Sequence, residues 1–174
     1  MSNKAPYASI RPLFDEATNT VSYLVFDPAT RQGAVIDPVL DWDHRSGEAD
    51  TRSADALIEA AQREGVEIEL ILETHAHADH LTAAPYIKQR CGGKIGIGEH
   101  IKDVQRIFRP VFAADDVKPD GGHFDILFHD GERIALGGLE IEVIHTPGHT
   151  PACVCYRIGD DIFVGDTLFM HDYG

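Results

Sequence analysis

The sequence has few basic residues and few cysteines. Its 174 residues include 15 Lys and Arg against 29 Asp and Glu, which gives a formal net charge of −14 at pH 7. Because a surface this acidic is repelled by a phosphate backbone and by an anionic lipid leaflet, neither nucleic acid nor a membrane is an expected partner. The three cysteines are too few, and odd in number, for a disulfide framework, which is typical of a reducing compartment.

The sequence also lacks a long apolar run. No window holds the ~20 apolar residues that a membrane-spanning helix needs, and the first residues, MSNKAPYASIRPLFDEA, contain no apolar stretch of signal-peptide length. We therefore expect a cytoplasmic protein. With 43% hydrophobic residues and no internal repeat or low-complexity segment, residues 1–174 are expected to form one domain.

The spacing of apolar residues predicts alternating strands and helices, and hence an α/β fold. The predicted strands are Val21–Phe26, Gly33–Ile36, Ile68–Leu72, Lys94–Ile97, Arg133–Leu136, Leu139–Ile144, Cys153–Ile158 and Ile162–Val164. The predicted helices are one that begins after an N-cap at Ser53 and ends at Gly65, and two that cover Leu81–Arg90 and Ile101–Phe108. The segments Val39–Arg52 and Ala113–Gly122 are expected to be irregular.

Histidine is the residue that the sequence concentrates. Ten are present, and three of them lie directly after the predicted strand Ile68–Leu72, in Thr74-His75-Ala76-His77-Ala78-Asp79-His80. Imidazoles packed this closely would repel one another if protonated, whereas neutral imidazole nitrogens and a carboxylate oxygen are good ligands for a divalent metal ion. A solvated loop would explain one such histidine, but the cluster favours a metal site.

Two further segments place ligand-type residues after predicted strands. Thr146-Pro147-Gly148-His149-Thr150 follows the strand that ends near His145, and Gly165-Asp166-Thr167 follows Ile162–Val164. The proline and glycine before His149 restrict the turn, so the imidazole has little conformational entropy left to lose on binding. Loops at strand ends are where α/β folds build sites, because the sheet supplies rigidity.

The motifs THAHADH, TPGHT and GDTLF, in this order and each after a strand, resemble the metal-binding motifs of the metallo-β-lactamase superfamily. The resemblance covers the chain from Leu13 onward. Within the superfamily, the stretches ILETHAHADHLTAAPYI, VIHTPGHTPACVCY and FVGDTLFMHDYG are most similar to the persulfide dioxygenases, which are relatives of glyoxalase II. The resemblance implies an αββα sandwich with the metal at the edge between two sheets.

Carried over to this sequence, the resemblance implies a mononuclear non-haem Fe(II) held by His75, His149 and Asp166. This 2-His-1-carboxylate set leaves positions open for O₂ and substrate. The implied activity is oxidation of glutathione persulfide by O₂ to sulfite and glutathione, as in sulfide detoxification. His77, Asp79 and His80 would then be vacant second-metal positions or would hydrogen-bond the ligands.

Two other functions remain open from the sequence. The first is a glyoxalase II-like hydrolase of glutathione thioesters with one or two Zn²⁺ ions. In that enzyme His77 would be a further ligand of the first metal ion. The second ion would be held by Asp79, His80, a bridging Asp166 and one more histidine. His171 is a disfavoured candidate for that histidine because it lies only five residues after Asp166. The second alternative is an inactive metal-binding fragment.

The chain stops at Gly174, soon after the GDTLF motif, whereas members of the family continue well beyond it. The resemblance therefore implies that the C-terminal part of the sandwich is absent. The glutathione pocket is expected beyond Gly174, so no substrate-binding residue is assigned. Strands with unpaired edges and an uncovered apolar face associate or unfold, which predicts either low stability for this piece alone or a fragment of a longer native chain. A homodimer is one assembly that the sequence leaves open. The other expected partners are a glutathione-linked small molecule and O₂.

Some residues receive structural interpretations. Cys153 and Cys155 alternate on a strand, where packing in the core is favoured over a redox pair. Asp37 follows a strand and is expected either to accept a hydrogen bond beside the metal or to cap a turn. Four histidines in polar loops are expected to be solvated: His44, His100, His123 and His129.

Overall fold

The structure is a computed structural model that describes residues 7–169. The strands in this range are β1 (Ser9–Asp15), β2 (Thr20–Phe26), β3 (Gln32–Ile36), β4 (Val39–Asp43), β5 (Glu48–Asp50), β6 (Glu67–Leu72), β7 (Leu81–Thr82), β8 (Lys94–Gly98), β9 (Ile126–Phe128), β10 (Arg133–Leu136), β11 (Leu139–His145), β12 (Val154–Ile158) and β13 (Asp161–Phe163). The helices are α1 (Arg52–Glu64), α2 (Ala84–Cys91) and α3 (Ile101–Val111), and a 3-10 turn covers Gly165–Thr167.

Two sheets build a sandwich. The larger has the order β1-β2-β3-β6-β8-β9, and its strands β3, β6, β8 and β9 run parallel. The smaller is antiparallel with the order β10-β11-β12-β13. A third, three-stranded sheet has the order β5-β4-β7. No helix in residues 7–169 is long and apolar enough to cross a membrane.

The larger sheet is covered on both faces, and β6 shows how its sequence suits this position. Ile71 packs into a core with α1 and α2, around Leu57 and Ile87. Its neighbours Leu70 and Leu72 face the smaller sheet and join the core between the two sheets. Side chains that alternate between two apolar cores give the unbroken apolar run from which this strand was predicted. The layers of helix, sheet and sheet confirm the predicted fold class.

The segment Val39–Arg52, predicted to be irregular, contains a strand hairpin instead. β4 pairs with β5 on one side and with β7 on the other. Both β4 and β5 are rich in acidic residues, and β5 and the second half of β4 are exposed, so they lack the apolar alternation on which strand prediction depends. They are strands because they pair with each other and with a segment that is distant in sequence.

The prediction of Ser53 as the N-cap of α1 is wrong. The helix begins at Arg52 with Thr51 as its N-cap residue. Ser53 donates from its backbone N–H and its hydroxyl to the two carboxylate oxygens of Asp41, both at 2.8 Å. A carboxylate from β4 therefore satisfies a helix N–H that the sequence pattern assigned to a local cap.

The other two helices differ from the predictions at one end. The helix predicted over Leu81–Arg90 begins only at Ala84, because Leu81 and Thr82 pair with β4. The Thr82 hydroxyl accepts from Ala84 N–H at 3.0 Å, and Pro85 lies in the first turn, where a missing N–H breaks no helical hydrogen bond. α3 continues to Val111, beyond the predicted end at Phe108.

Besides β4, β5 and β7, two more strands were not predicted, and both lie at edges of the larger sheet. β1 is polar and half-exposed, and β9 is only three residues long, so neither has a strong apolar pattern. All eight predicted strands are present, with ends within one residue of the prediction. The segment Ala113–Gly122 contains neither helix nor strand, as predicted.

Candidate metal centre

Three loops at one edge of the sandwich carry the residues predicted to bind metal. The histidine loop (residues 74–80) follows β6, the TPGHT loop (residues 146–150) follows β11, and the GDT turn (Gly165–Thr167) follows β13. The first comes from the larger sheet and the other two from the smaller sheet. Rigid strands thus position the side chains that the loops present.

Hydrogen bonds hold the two sheets together at this edge. Val154 N–H donates to Thr74 O, and the buried Tyr156 hydroxyl donates to Glu73 O, both at 2.9 Å. β12 of the smaller sheet therefore lies directly against the start of the histidine loop.

His75, His149 and Asp166 come together here, and we refer to them as the candidate triad. Each offers one ligand atom, and the three atoms lie within 4.8 Å of one another. Asp166 Oδ2 is 3.5 Å from His149 Nε2 and 3.8 Å from His75 Nε2. The His75 side chain is 1% exposed, whereas those of His149 and Asp166 are 42% and 30% exposed. The candidate triad therefore has one buried member and two accessible ones.

Hydrogen bonding determines which nitrogen of His75 is free. The Thr74 hydroxyl donates to Asp37 Oδ2 at 2.8 Å, so its oxygen accepts from His75 Nδ1–H at 3.0 Å and a lone pair is left on Nε2. Nε2 is buried and has no hydrogen-bond partner among residues 7–169. Because an unpaired buried acceptor costs about 1–3 kcal/mol, a metal ion at this nitrogen would remove a penalty. The donor set therefore fits a divalent ion.

Burial also shifts the pKa values of His75 and Asp166. It disfavours the imidazolium form and, together with the charge of His77, lowers the pKa of His75 to about 4. His75 is thus neutral at pH 7, as a metal ligand must be. Burial raises the pKa of the Asp166 carboxyl above its ordinary value of 3.8.

A second set of ligand-type atoms lies on the same loop. His77, Asp79 and His80 each offer an atom within 4.8 Å of the others. His80 Nδ1 lies 3.4 Å from Asp79 Oδ2 and 3.4 Å from Thr20 Oγ1, while its Nε2 is buried without a partner in the described chain. The structure therefore brings both predicted sets of residues together.

His77 is held by two buried carboxylates and is not grouped with the candidate triad. Its Nε2 lies 3.2 Å from Asp37 Oδ1 and 3.2 Å from Glu73 Oε2. Burial alone lowers the pKa of His77, but the hydrogen bonds with these two carboxylates outweigh it and raise the pKa to about 10. The ring is therefore tied to the interior of the larger sheet.

Asp37 and Glu73 both stabilise the histidine loop. Asp37 accepts from the Thr74 N–H at 2.7 Å as well as from its hydroxyl, so it takes the first of the two roles expected for it, a hydrogen-bond acceptor beside the site. Glu73 was not predicted. It accepts from the Thr82 hydroxyl and contacts His77, so one carboxylate joins both ends of the loop. A carboxylate at the end of an apolar strand was the available signal, since burying it requires partners.

Gly165 determines how closely the GDT turn approaches the histidine loop. Its φ is +48°, and a Cβ there would lie 2.8 Å from Thr74 Cβ and closer still to the Thr74 hydroxyl oxygen. A side chain at this position is disfavoured by both the backbone conformation and the contact. The glycine therefore allows Asp166 to lie beside His75.

The remaining sequence interpretations have mixed outcomes. Cys153 and Cys155 are buried, as expected. His100 is half-buried rather than solvated, because its ring stacks on that of His145 with centroids 4.3 Å apart. His171, the disfavoured candidate ligand, lies outside the described residues. Three of the histidines expected to be solvated are exposed: His44, His123 and His129.

Known proteins of related sequence point to one family. The sequence pattern of the metallo-beta-lactamase superfamily matches residues 16–174. A probable metallo-hydrolase of Burkholderia pseudomallei is 48% identical over 95% of this chain and 60% of its own length. Glyoxylase B2 of Dictyostelium discoideum is 44% identical over 100% of this chain and 60% of its own length. The mitochondrial persulfide dioxygenase ETHE1 of Homo sapiens is 28% identical over 95% of this chain and 54% of its own length.

A solved structure agrees with these relatives. The crystal structure of ETHE1 from Myxococcus xanthus matches with a TM-score of 0.71 and 27% sequence identity, over 93% of this chain and 59% of that chain. The chain thus spans at most 60% of the length of each of these relatives. The match to the family over residues 16–174, together with the two-sheet sandwich, shows that this chain belongs to the metallo-beta-lactamase superfamily.

Proposed function

We propose that this chain carries the catalytic metal centre of a persulfide dioxygenase, which oxidises glutathione persulfide with O₂ to sulfite and glutathione. The observation that carries the proposal is the composition of the candidate triad, two imidazoles and one carboxylate, with His77 bound elsewhere. Non-haem iron oxygenases use this set because it leaves coordination positions open on Fe(II). The proposed ion is therefore Fe(II), held by His75, His149 and Asp166.

The proposed reaction balances with water as a co-reactant. One persulfide, one O₂ and one water give glutathione, sulfite and two protons. The S–S bond breaks, the terminal sulfur becomes sulfite, and the two sulfurs together lose the four electrons that O₂ accepts. Iron, when bound, supplies the redox chemistry that lets O₂ react with sulfur.

The residues of the candidate triad have different roles in holding the ion. His75 is fixed, since Thr74 orients its ring and Asp37 in turn orients Thr74. His149 and Asp166 are partly exposed, so the side of the site that they form is open to a substrate. The persulfide dioxygenase of Homo sapiens supports the proposal, because its similarity extends over nearly all of this chain.

The second candidate is a glyoxalase II-like hydrolase of glutathione thioesters with one or two Zn²⁺ ions. It is favoured by the second set of ligand-type atoms, on His77, Asp79 and His80, because a two-metal hydrolase needs ligands for another ion. Two relatives of higher sequence identity also have names of this kind, metallo-hydrolase and glyoxylase. Such an enzyme would consume no O₂.

Oxygen uptake and sulfite release from glutathione persulfide test the proposal. For the chain loaded with Fe(II) we expect equal amounts of O₂ consumed and sulfite formed, and no turnover by His149→Ala. His129→Ala is the matched control, since His129 is an exposed histidine outside the site, and we expect it to be unchanged. Hydrolysis of a glutathione thioester without O₂ uptake would assign the hydrolase instead. Turnover of neither substrate would identify a metal-binding fragment.

A further inference from the structure

A short chain of hydrogen bonds lies behind the two loops of the smaller sheet. Thr146, the first residue of the TPGHT loop, has its Oγ1 2.9 Å from Oγ1 of Thr167, the last residue of the GDT turn. The same Thr146 oxygen lies 3.4 Å from Sγ of Cys155. The Cys155 thiol in turn donates to Val164 O at 3.8 Å. We refer to Thr146, Thr167 and Cys155 as the clasp.

Donors and acceptors in the clasp can be assigned without conflict. Because the Cys155 S–H is used by Val164 O, Cys155 Sγ accepts from the Thr146 hydroxyl, and Thr146 Oγ1 accepts from the Thr167 hydroxyl. Val164 directly precedes the GDT turn. The hydrogen bonds therefore run from Thr167 in the GDT turn to Thr146 in the TPGHT loop and on to Cys155 in β12. They end at Val164, which is next to the GDT turn.

The clasp adds a side-chain link between two segments that the paired strands β11, β12 and β13 already bring side by side. His149 lies three residues after Thr146, and Asp166 directly precedes Thr167. Apart from the contact of His149 with Asp166, the bond from Thr146 to Thr167 is the one side-chain hydrogen bond between this loop and this turn in residues 7–169. This bond is therefore placed where it can contribute to the spacing of the two accessible ligands.

The other end of the TPGHT loop is attached to the neighbouring cysteine. The backbone N–H of Thr150 donates to Cys153 Sγ at 3.2 Å, and the Thr150 hydroxyl lies 3.1 Å from the same sulfur. The two cysteines thus contact threonines at both ends of the loop that carries His149. Among residues 7–169, the contact through Cys155 continues to Val164, beside the GDT turn, whereas the contacts of Cys153 stay within the TPGHT loop.

We propose that the clasp is a positioning device, which fixes the spacing of His149 and Asp166 before a metal ion binds. The inference rests on the proposed metal centre but not on the reaction that this centre catalyses. Partners that bind a ligand side chain directly contribute about 10–100-fold to metal affinity. The clasp acts through the backbone of the two loops, so we expect a smaller contribution of about 3–10-fold.

Titration of the metal-free chain with Co²⁺ tests this role. Thr167→Val removes the hydroxyl at nearly constant shape, and we expect it to raise the Kd for Co²⁺ by about 3–10-fold. We also expect it to change the visible absorption spectrum of bound Co²⁺, which reports ligand geometry. Thr167→Ser keeps a hydroxyl and should restore both. Thr30→Val is the matched control, because the Thr30 hydroxyl donates to Asp27 in the turn between β2 and β3.

A double variant separates the clasp from a general loss of stability. Since Thr146 and Thr167 share one hydrogen bond, Thr146→Val combined with Thr167→Val should weaken binding by less than the product of the single effects. Independent effects, or a Thr167→Val chain that melts earlier but keeps the parental Kd and spectrum, would overturn the proposal. Failure of the parent chain to bind Co²⁺ would overturn the metal centre and the clasp together. Co²⁺ binding without oxygenase activity would refute only the proposed reaction.

Discussion

The histidine loop and the two loops of the smaller sheet hold their ligand candidates in different ways. His75 is buried, and a hydrogen bond from its ring leads through Thr74 to the buried Asp37. His149 and Asp166 are partly exposed, and one side-chain hydrogen bond, between Thr146 and Thr167, links the loop and the turn that carry them. The difference shows how the fold can supply both rigidity and access at one site, since each sheet provides one of them. The free energy of unfolding of the metal-free chain should reveal the same division.

The largest loss of unfolding free energy is expected when the buried support of the histidine loop is removed. Asp37→Ala leaves the Thr74 N–H and the Thr74 hydroxyl without a buried acceptor, and it leaves His77 with Glu73 as its one buried carboxylate among the described residues. Removing one partner from a buried ionic network costs about 3–5 kcal/mol, which urea unfolding measures. Asp160→Ala, at an exposed position, is the control. A loss for Asp37→Ala below about 1 kcal/mol would show that this carboxylate does not fix the loop.

The next largest loss of unfolding free energy is expected where the GDT turn contacts the histidine loop. Gly165→Ala requires a positive φ, which costs about 1–2 kcal/mol, and places a methyl group against Thr74, which adds about 1–3 kcal/mol of overpacking. Gly159→Ala is a matched control, because Gly159 has a φ of +62° with no atom within 4 Å of a Cβ. Equal losses of unfolding free energy in the two variants would contradict the close contact with Thr74.

A smaller, pH-dependent effect on the unfolding free energy is expected away from the site, where β3 and β11 begin. Asp27 there accepts from Gly138 N–H, Ala29 N–H and the Thr30 hydroxyl. The two backbone hydrogen bonds hold the pKa of Asp27 below its ordinary value of 3.8. Because the pKa is lower in the folded state, the carboxylate stabilises the fold above pH 3.8, and this contribution is lost as the pH falls through the folded-state pKa.

The Asp27→Asn variant measures that contribution. At pH 7 we expect its free energy of unfolding to be about 1–2 kcal/mol lower than that of the parent chain. The difference between the two chains should shrink once the pH falls below 3.8. A difference that stays constant down to pH 2, or grows, would contradict the depressed pKa.

The smallest change in stability is expected in the TPGHT loop. His149→Ala alters a side chain that is 42% exposed, so the unfolding free energy should stay within about 0.5 kcal/mol of the parent value. The same variant should lose Co²⁺ binding, because it lacks a member of the candidate triad. Retained Co²⁺ affinity would remove His149 from the proposed ligands.

The candidate site could be located from sequence because its motifs are local. His75, His149 and Asp166 each lie within four residues of the end of a strand, and strands with strong apolar patterns were predicted to within one residue. The support of these residues could not be predicted in the same way. Glu73 and the hydroxyl of Thr167 acquire their roles from partners that are distant in sequence.

The fold shows the same limit. β6 alternates between two apolar cores, so its sequence alone predicts a buried strand. β4, β5 and β7 are short and lack an apolar alternation, and they become strands only by pairing in a sheet of their own. Serine is a common N-cap residue, so Ser53 was predicted to cap α1, yet Asp41 from β4 takes part of that role. Local composition cannot report a partner that tertiary structure supplies.

Elemental analysis of the anaerobically purified chain tests the central claim most directly. The account states that His75, His149 and Asp166 hold one ion while Asp37 and Glu73 keep His77 out of the ligand set. It therefore predicts about one iron per chain, which is lost in His149→Ala. Close to two zinc ions per chain would contradict it, because a second ion requires ligands outside the candidate triad, such as Asp79 and His80.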